Sequence, residues 1–129
     1  MSRPLFRRMI HHLQIQYPKE GCGLLAGHTG QATQIYPVDN ILKSPNAYEM
    51  EPLQQIRAML IMEEHGDELV AIYHSHPQGP STPSETDVAQ AYYPDAVYLI
   101  VSLYNFDEPE VRGFRIVDGR VTEVLIIVE

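Results

Sequence analysis

Residues 69–77, which read LVAIYHSHP, combine an apolar run with two histidines on either side of a serine. The apolar run predicts a buried strand that continues into His74, Ser75 and His76, and Pro77 ends it. Because side chains two positions apart on a strand point to the same face, both imidazoles can reach one point while Ser75 points away. On a helix the two rings would diverge by about 200°. The stretch therefore predicts a strand that presents two metal ligands at its end.

A third ligand follows on the next predicted element. The proline-rich residues 78–83 form a loop long enough to return the chain to Asp87 on a short helix. Two imidazole nitrogens and one carboxylate make a three-ligand set, and catalytic zinc sites use three protein ligands with a fourth position for water, whereas structural sites use four. Such water needs a nearby carboxylate to take and relay its proton. The pattern therefore favours a hydrolytic metal site.

Each part of this pattern also has a simpler interpretation. Taken alone, a His-x-His pair more often reflects ordinary packing than metal binding. Ser84 and Asp87 have the spacing of a helix N-cap with an acid three residues later, a role that can coexist with metal binding. Glu20, between a predicted helix and a strand, would by itself be a solvated carboxylate. Cys22 in an apolar strand is typical of a small buried residue rather than a reactive thiol.

Periodicity over the rest of the chain predicts a mixture of helices and strands. Predicted helices cover Arg3–Tyr17, Pro52–His65 and Ser84–Tyr92. Predicted strands cover Gly21–Gly27, Ala32–Val38, Leu69–His76, Val97–Leu103, Val111–Val117 and Val121–Val128. Consecutive strands joined by turns indicate an α+β fold with a mixed, largely antiparallel sheet flanked by helices, in a three-layer α/β/α-like arrangement. The segment 39–50 is predicted to be a loop.

Composition narrows the classes of protein further. A chain of 129 residues fits one domain, and its net charge of −8 disfavours general nucleic-acid binding, which needs a basic footprint. The cations near the start form only a local patch on and just after the first helix, at Arg3, Arg7, Arg8 and Lys19. A single cysteine excludes an intramolecular disulfide. With no signal peptide and no apolar run of membrane-spanning length, we expect a cytoplasmic protein without a membrane partner.

The motifs together resemble those of a known family. His74-Ser75-His76-Pro77, then Ser84-x-x-Asp87, with the upstream residues 20–27 (EGCGLLAG), is similar to the JAMM motif of the JAB/MPN metalloprotease family. The resemblance extends over nearly the whole chain. It implies the cytidine-deaminase-like MPN/JAB fold with a curved sheet, and a single JAB/MPN catalytic domain over residues 1–129.

The resemblance also implies roles for individual residues. His74, His76 and Asp87 would bind one Zn²⁺ per chain, with a bound water, and Glu20 would be the general acid/base. Ser84 would stabilise the oxyanion by hydrogen bonding. These roles agree with amide hydrolysis, in which negative charge develops on the carbonyl oxygen and the leaving amine needs a proton.

The implied substrate is a ubiquitin-like protein. Family members hydrolyse peptide or isopeptide bonds after its C-terminal glycine, and this chain is similar to the compact prokaryotic forms that process ubiquitin-like sulfur carriers. The Gly-Gly tail of a carrier is expected to add as a strand beside an exposed sheet edge, with the segment Asp39–Met50 as a docking region.

Two other interpretations also fit the sequence. One is a JAB protein of the RadC type, which has a similar HxHP loop, and the other is an MPN scaffold or binding module without proteolytic activity. The presence of all five site residues argues against the scaffold. The sequence leaves open which carrier or conjugate is cleaved, whether the bond is a peptide or an isopeptide, the role of Cys22, the oligomeric state and any need for a partner.

Overall fold

A six-stranded sheet runs through the protein, and a helix covers each of its faces. The computed structural model describes residues 1–129. Its helices are α1 (Arg3–Gln16), α2 (Pro52–Glu64) and α3 (Glu85–Ala89). Its strands are β1 (Cys22–His28), β2 (Gln31–Val38), β3 (Glu68–His76), β4 (Val97–Ser102), β5 (Glu110–Val117) and β6 (Arg120–Val124). The strand order is β2-β1-β3-β4-β5-β6, and only β3 and β4 pair in parallel.

Two separate apolar clusters make up the core, one on each face of the sheet. Because strand side chains alternate between faces, neighbouring residues of one strand enter different clusters. The α1 face contains Leu5, Met9, Leu13, Leu25, Ala71, Tyr73 and Leu99. The α2 face contains Ala58, Met62, Leu24, Ile72, Tyr98 and Ile100. The predicted α+β fold, with a mixed and largely antiparallel sheet between helices, is confirmed.

The pairing of β1, β3 and β4 brings distant parts of the chain to one end of the sheet. Cys22 on β1 lies opposite His74 on β3, so Glu20, just before β1, reaches the same end. His76 lies opposite Ser102 on the parallel neighbour β4. The connection from β3 to β4 carries the proline-rich loop and α3, and it folds over this end of the sheet. The register of the sheet thus places the sequence motifs together.

Helix α3 is shorter than predicted. The expected helix Ser84–Tyr92 extends only over Glu85–Ala89, because Gln90 closes the last turn with its backbone N–H directed to the carbonyls of Thr86 and Val88. The sequence YYP that follows at 92–94 disfavours a helical backbone, since a residue before proline avoids the helical region. None of the three helices combines the length and the apolar character that crossing a membrane requires.

The last strand is also shorter than predicted. The expected strand Val121–Val128 is wrong in its second half, because β6 ends at Val124. The following residues leave the sheet and pair with the start of the chain instead. The N–H of Glu129 donates to the carbonyl of Met1 at 3.0 Å, and the N–H of Arg3 donates to the carbonyl of Glu129 at 3.0 Å. Backbone groups of the N-terminus, rather than β5, therefore supply the hydrogen-bond partners at the end of this apolar segment.

Gly23 on β1 makes room for a buried aromatic ring on β3. Tyr73 is fully buried, its hydroxyl lies 2.8 Å from Nδ1 of His12, and a Cβ at Gly23 would overlap its phenol ring. We expect Gly23→Ala to destabilise the protein by about 2–3 kcal/mol, the cost of overpacking a rigid core. Chemical denaturation measures this change.

The control for this variant is Gly79→Ala. A Cβ at Gly79 would meet only ordinary contacts, the nearest at 3.6 Å from Cβ of His76, and the expected change in unfolding free energy is within about 0.5 kcal/mol. Equal stability of the Gly23→Ala variant and the wild type would show that the sheet accommodates the extra methyl group, contrary to the expectation.

Candidate metal centre

Three side chains meet at the end of β3 with their donor atoms almost equidistant. Nε2 of His74 and Nε2 of His76 lie 3.1 Å apart. The Asp87 carboxylate reaches both rings, with Oδ1 at 3.3 Å from Nε2 of His74 and Oδ2 at 3.0 Å from Nε2 of His76. The strand geometry predicted from the His-x-His spacing is thus present, and the loop does return Asp87 to it.

These separations are those of a tetrahedral metal site. Four ligands at zinc bond lengths of about 2.0–2.1 Å are separated from each other by about 3.3 Å. Glu20 is the fourth acidic or imidazole group nearby, and its carboxylate lies within 4.8 Å of the ligand atoms of both histidines. The donor set of His74, His76 and Asp87 therefore fits a zinc-like ion, with Glu20 beside it.

Different contacts orient the two histidine rings. Nδ1 of His76 donates to the carbonyl of Pro80 at 2.7 Å, and because a carbonyl only accepts, that nitrogen carries a proton, which makes Nε2 the nitrogen that a metal can bind. The ring of His74 stacks on Tyr48 with centroids 4.6 Å apart. Its own Nδ1 is buried without a partner. Stacking and burial, rather than a hydrogen bond, thus fix His74.

A capping box holds Asp87 at the start of α3. The N–H of Asp87 donates to Oγ of Ser84 at 3.0 Å, and the N–H of Ser84 donates to Oδ2 of Asp87 at 2.9 Å. The capping explanation raised by the sequence is therefore correct, and the same carboxylate also faces both histidines. Capping fixes its orientation, so the two roles coexist in one side chain.

Glu20 is held by its backbone, while part of its carboxylate has no partner. Its N–H donates to the carbonyl of Ser44 at 2.8 Å, and its carbonyl accepts from Nδ2 of Asn40 at 3.0 Å. The residue is only 4% exposed, and Oε1 is buried without a hydrogen bond. A buried, unpaired carboxylate oxygen beside a ligand cluster fits a site that receives a polar group.

Burial and neighbouring charges shift the pKa values in this cluster. Burial raises the pKa of Glu20 to about 7, with the charge of His76 opposing the shift. Burial alone would raise the pKa of Asp87, but hydrogen bonds from His74 and His76 outweigh it and hold that pKa well below its usual range. Burial also lowers the pKa of His74. Without metal, Asp87 is thus ionised, and Glu20 exchanges a proton near neutral pH.

An open cleft adjoins the cluster and makes it accessible. Glu20, His76 and Ser84 line this cleft together with polar side chains of the surrounding loops, namely Asn46, Gln78 and Thr82. All five site residues singled out in the sequence are therefore brought together. The cleft therefore presents an imidazole, a carboxylate and a hydroxyl.

The remaining motif residues have structural roles. Ser75 points away from the cluster, as predicted, and its Oγ accepts the N–H of Gly21 at 2.9 Å, which ties β3 to the segment that carries Glu20. Cys22 is free and buried, and burial raises the pKa of its thiol to about 12. A thiol with such a pKa stays protonated, so Cys22 has the properties of a packing residue.

Sequence reasoning missed two residues that support the cluster. Asn40 is buried, and its amide donates to the carbonyls of Glu20 and Ala47 while accepting from the N–H groups of Leu42 and Glu49. Tyr48 supports His74 from the same loop. The sequence carried no pattern that singles them out, because their partners are distant in sequence or belong to the backbone.

Comparison with known proteins gives consistent results. A family model described as prokaryotic homologs of the JAB domain matches residues 2–117. The chain is 39% identical over 121 residues to a protein of Mycobacterium tuberculosis named CysO-cysteine peptidase, and the alignment covers 92% of this chain and 83% of that protein. It is 37% identical over 128 residues to a Thermus thermophilus protein named probable TtuB-protein conjugate cleaving protease, with 98% and 82% covered.

A solved structure shares the architecture over the full length. The solution structure of a protein from Desulfitobacterium hafniense matches with a TM-score of 0.88 at 32% sequence identity, covering 100% of this chain and 93% of that one. The order of helices and strands described above is therefore that of an experimentally determined relative.

Proposed function

Because the chain belongs to the family of prokaryotic homologs of the JAB domain and is a hydrolase of the metalloprotease class, we propose that it is a zinc-dependent peptidase acting on a ubiquitin-like protein. The bond cleaved is the one that follows the C-terminal glycine of that protein, in a peptide or an isopeptide. The observation that carries the proposal is the near-tetrahedral donor set at the end of β3. Residues 1–129 act as one catalytic domain in the cytoplasm.

In this proposal His74, His76 and Asp87 hold one zinc ion. The distances of 3.0–3.3 Å between their donor atoms support this assignment, as does the orientation of His76 by Pro80. Zinc bound there supplies Lewis acidity, which polarises a carbonyl oxygen and lowers the pKa of water to about 7. The chain's part is to keep the three ligands fixed before the ion arrives.

Glu20 is the proton carrier of the reaction. Its carboxylate is close to the ligands but not among the nearest three donors, and its pKa near neutrality suits a group that first accepts a proton from water and then gives it to the leaving amine. Its buried, unpaired Oε1 is available for that transfer. Asn40 and Ser44 hold the backbone of Glu20 and thereby fix the distance over which the proton moves.

Ser84 is the proposed donor to the oxyanion. Its Oγ accepts the N–H of Asp87, which leaves its own hydrogen free to donate into the cleft that Ser84 lines. A donor fixed by a helix cap needs no reorganisation when negative charge develops on the carbonyl oxygen. The capping role of Ser84 therefore supports its catalytic role.

The substrate class follows from the relatives and from the open cleft. One relative is named for a CysO-cysteine bond and another for a TtuB-protein conjugate, and we propose that this chain also takes a small ubiquitin-like sulfur carrier with a Gly-Gly tail. The segment Asp39–Met50 is the proposed docking region, since Ser44 and Asn40 contact Glu20 and Tyr48 contacts His74. A tail held along this segment reaches both groups.

A cleavage assay on a designed fusion tests this function. The zinc-loaded protein is expected to cut a sulfur-carrier protein whose Gly-Gly end is followed by a short peptide, and mass spectrometry locates the cut after the last glycine. Chelation is expected to stop cleavage and added zinc to restore it. The control is the same fusion with the last glycine replaced by valine.

Either of two results would overturn the proposal. One is undiminished cleavage by protein from which the metal has been removed. The other is the absence of cleavage of every Gly-Gly carrier, in peptide and in isopeptide linkage, by folded protein that contains one zinc ion per chain.

A further inference from the structure

Three residues of neighbouring strands align across the end of the sheet. His76 on β3 lies opposite Ser102 on β4, and Ser102 lies opposite Glu110 on β5. Residues in register on adjacent strands project from the same face of a sheet. Ser102 and Glu110 therefore follow His76 in a row across the sheet, on the face where the proline-rich loop, residues 77–83, folds back.

Ser102 and Glu110 each bind that loop by a side-chain hydrogen bond. Oγ of Ser102 donates to the carbonyl of Gly79 at 2.6 Å. Oγ of Ser81 donates to the carboxylate of Glu110 in a short contact. Ser102 and Ser81 are 7% and 1% exposed, so each buried hydroxyl needs its partner. The loop is therefore attached to β4 and β5 at two points, Gly79 and Ser81.

The residue between these two attachment points orients a metal ligand. Pro80 supplies the carbonyl that accepts from Nδ1 of His76 at 2.7 Å. That bond keeps the proton on Nδ1 and directs Nε2 toward Asp87. A displacement of the loop by about 1 Å would break the bond, since hydrogen bonds weaken steeply beyond their ordinary distance.

We propose that Glu110, Ser81 and Ser102 are positioning residues that hold the carbonyl of Pro80 against His76 and thereby set the metal affinity of the site. The inference rests on the proposed function in that His76 is taken as a metal ligand. Glu110 is itself an exposed residue on β5, and its one side-chain hydrogen bond is the one from Ser81. An effect of Glu110 on metal binding would therefore act through this attachment of the loop, which we call the clamp.

The test compares variants at Glu110 by metal competition. We expect Glu110→Ala to weaken zinc binding by about tenfold. Mutation of a residue that supports a metal ligand typically lowers metal affinity by roughly 10- to 100-fold. Titration of the zinc-loaded protein with a chromogenic chelator measures this. Glu110→Gln keeps an oxygen that accepts from Ser81, so it is expected to lose less than about threefold.

Ser81→Ala is expected to weaken binding as Glu110→Ala does, and the double variant no more than either single variant, because both changes remove the same bond. The matched control is Glu108→Ala. Glu108 and Glu110 line a second cleft, which does not include Glu20 or Ser84. Glu108 makes no side-chain hydrogen bond, and we expect its replacement to leave zinc affinity unchanged.

A second readout uses the metal-free protein and so separates this inference from the proposed function. Proton–nitrogen NMR is expected to show a hydrogen-bonded proton on Nδ1 of His76 that exchanges slowly with solvent in the wild type and in Glu110→Gln, and exchanges faster in Glu110→Ala. Wild-type protein that binds no zinc would overturn the proposed function, while the exchange of this proton would still test the attachment of the loop. Unchanged zinc affinity and unchanged exchange of the Nδ1 proton in folded Glu110→Ala would overturn the inference.

Discussion

Glu20→Gln is expected to keep one zinc ion per chain and to lose about 10³-fold in kcat, within the range attributed to a general acid/base. Glutamine has nearly the shape of glutamate, and the backbone contacts of Glu20 with Ser44 and Asn40 do not involve its side chain. The amide cannot accept a proton from water or return one to the leaving amine. Cleavage of the carrier fusion under saturating substrate measures kcat, and elemental analysis measures zinc.

The pH dependence gives this prediction a second part. A protonated Glu20 cannot act as the base, so wild-type activity is expected to fall as the pH is lowered through the pKa of this carboxyl. Burial raises that pKa. The residual activity of Glu20→Gln is expected to lack this acidic limb, because the group that titrates is absent.

The control for Glu20→Gln is Glu63→Gln on the exposed side of α2, where the same chemical change is expected to alter neither kcat nor zinc content. Two outcomes would contradict the assignment. Full activity in Glu20→Gln would remove Glu20 from the mechanism. Loss of zinc from Glu20→Gln would show that Glu20 is itself a metal ligand. Its position within 4.8 Å of the ligand atoms of both histidines would allow that role.

Asp87→Asn is expected to abolish zinc binding and cleavage together. The carboxylate is the only anionic donor within 3.3 Å of both imidazoles, and an amide oxygen carries no charge to hold the ion. The loss of zinc affinity should exceed the roughly 10- to 100-fold cost of changing a supporting residue. Zinc content after dialysis and cleavage of the carrier fusion are the two measurements.

The structure of the metal-free protein is expected to survive this substitution. The side-chain oxygen of asparagine can still accept the N–H of Ser84, so the N-cap of α3 is kept. Glu85→Gln, an exposed position on the same helix, is the control and should retain zinc and activity. A variant Asp87→Asn that retained stoichiometric zinc would show that Glu20, not Asp87, completes the ligand set.

Local sequence determined the elements and most of the site residues. The apolar run before His74 predicts a buried strand, the i, i+2 spacing places His74 and His76 on one face, and the spacing of Ser84 and Asp87 predicts the capping box. Each of these depends on neighbours within four residues, whose geometry follows from backbone periodicity alone. These predictions needed no knowledge of strand order.

The predicted ends of two elements were wrong, although the elements themselves are present. Val121–Val128 is rich in β-branched residues throughout, yet β6 ends at Val124, and backbone groups at the N-terminus pair with residue 129. Composition indicates that a segment favours an extended backbone, but it does not indicate which partner supplies the hydrogen bonds. The same limit applies to the shortened α3.

Only the tertiary structure decided how the site is assembled. Glu20 reaches the histidines because β1 pairs with β3 so that Cys22 opposes His74, and the proline-rich loop is fixed because Ser102 and Glu110 align with His76 across three strands. Asn40 and Tyr48 support the site from a loop without periodicity. The sequence by itself thus identified the groups proposed to carry the chemistry, whereas long-range pairing decided their distances, because hydrogen bonds between distant strands leave no local pattern in the chain.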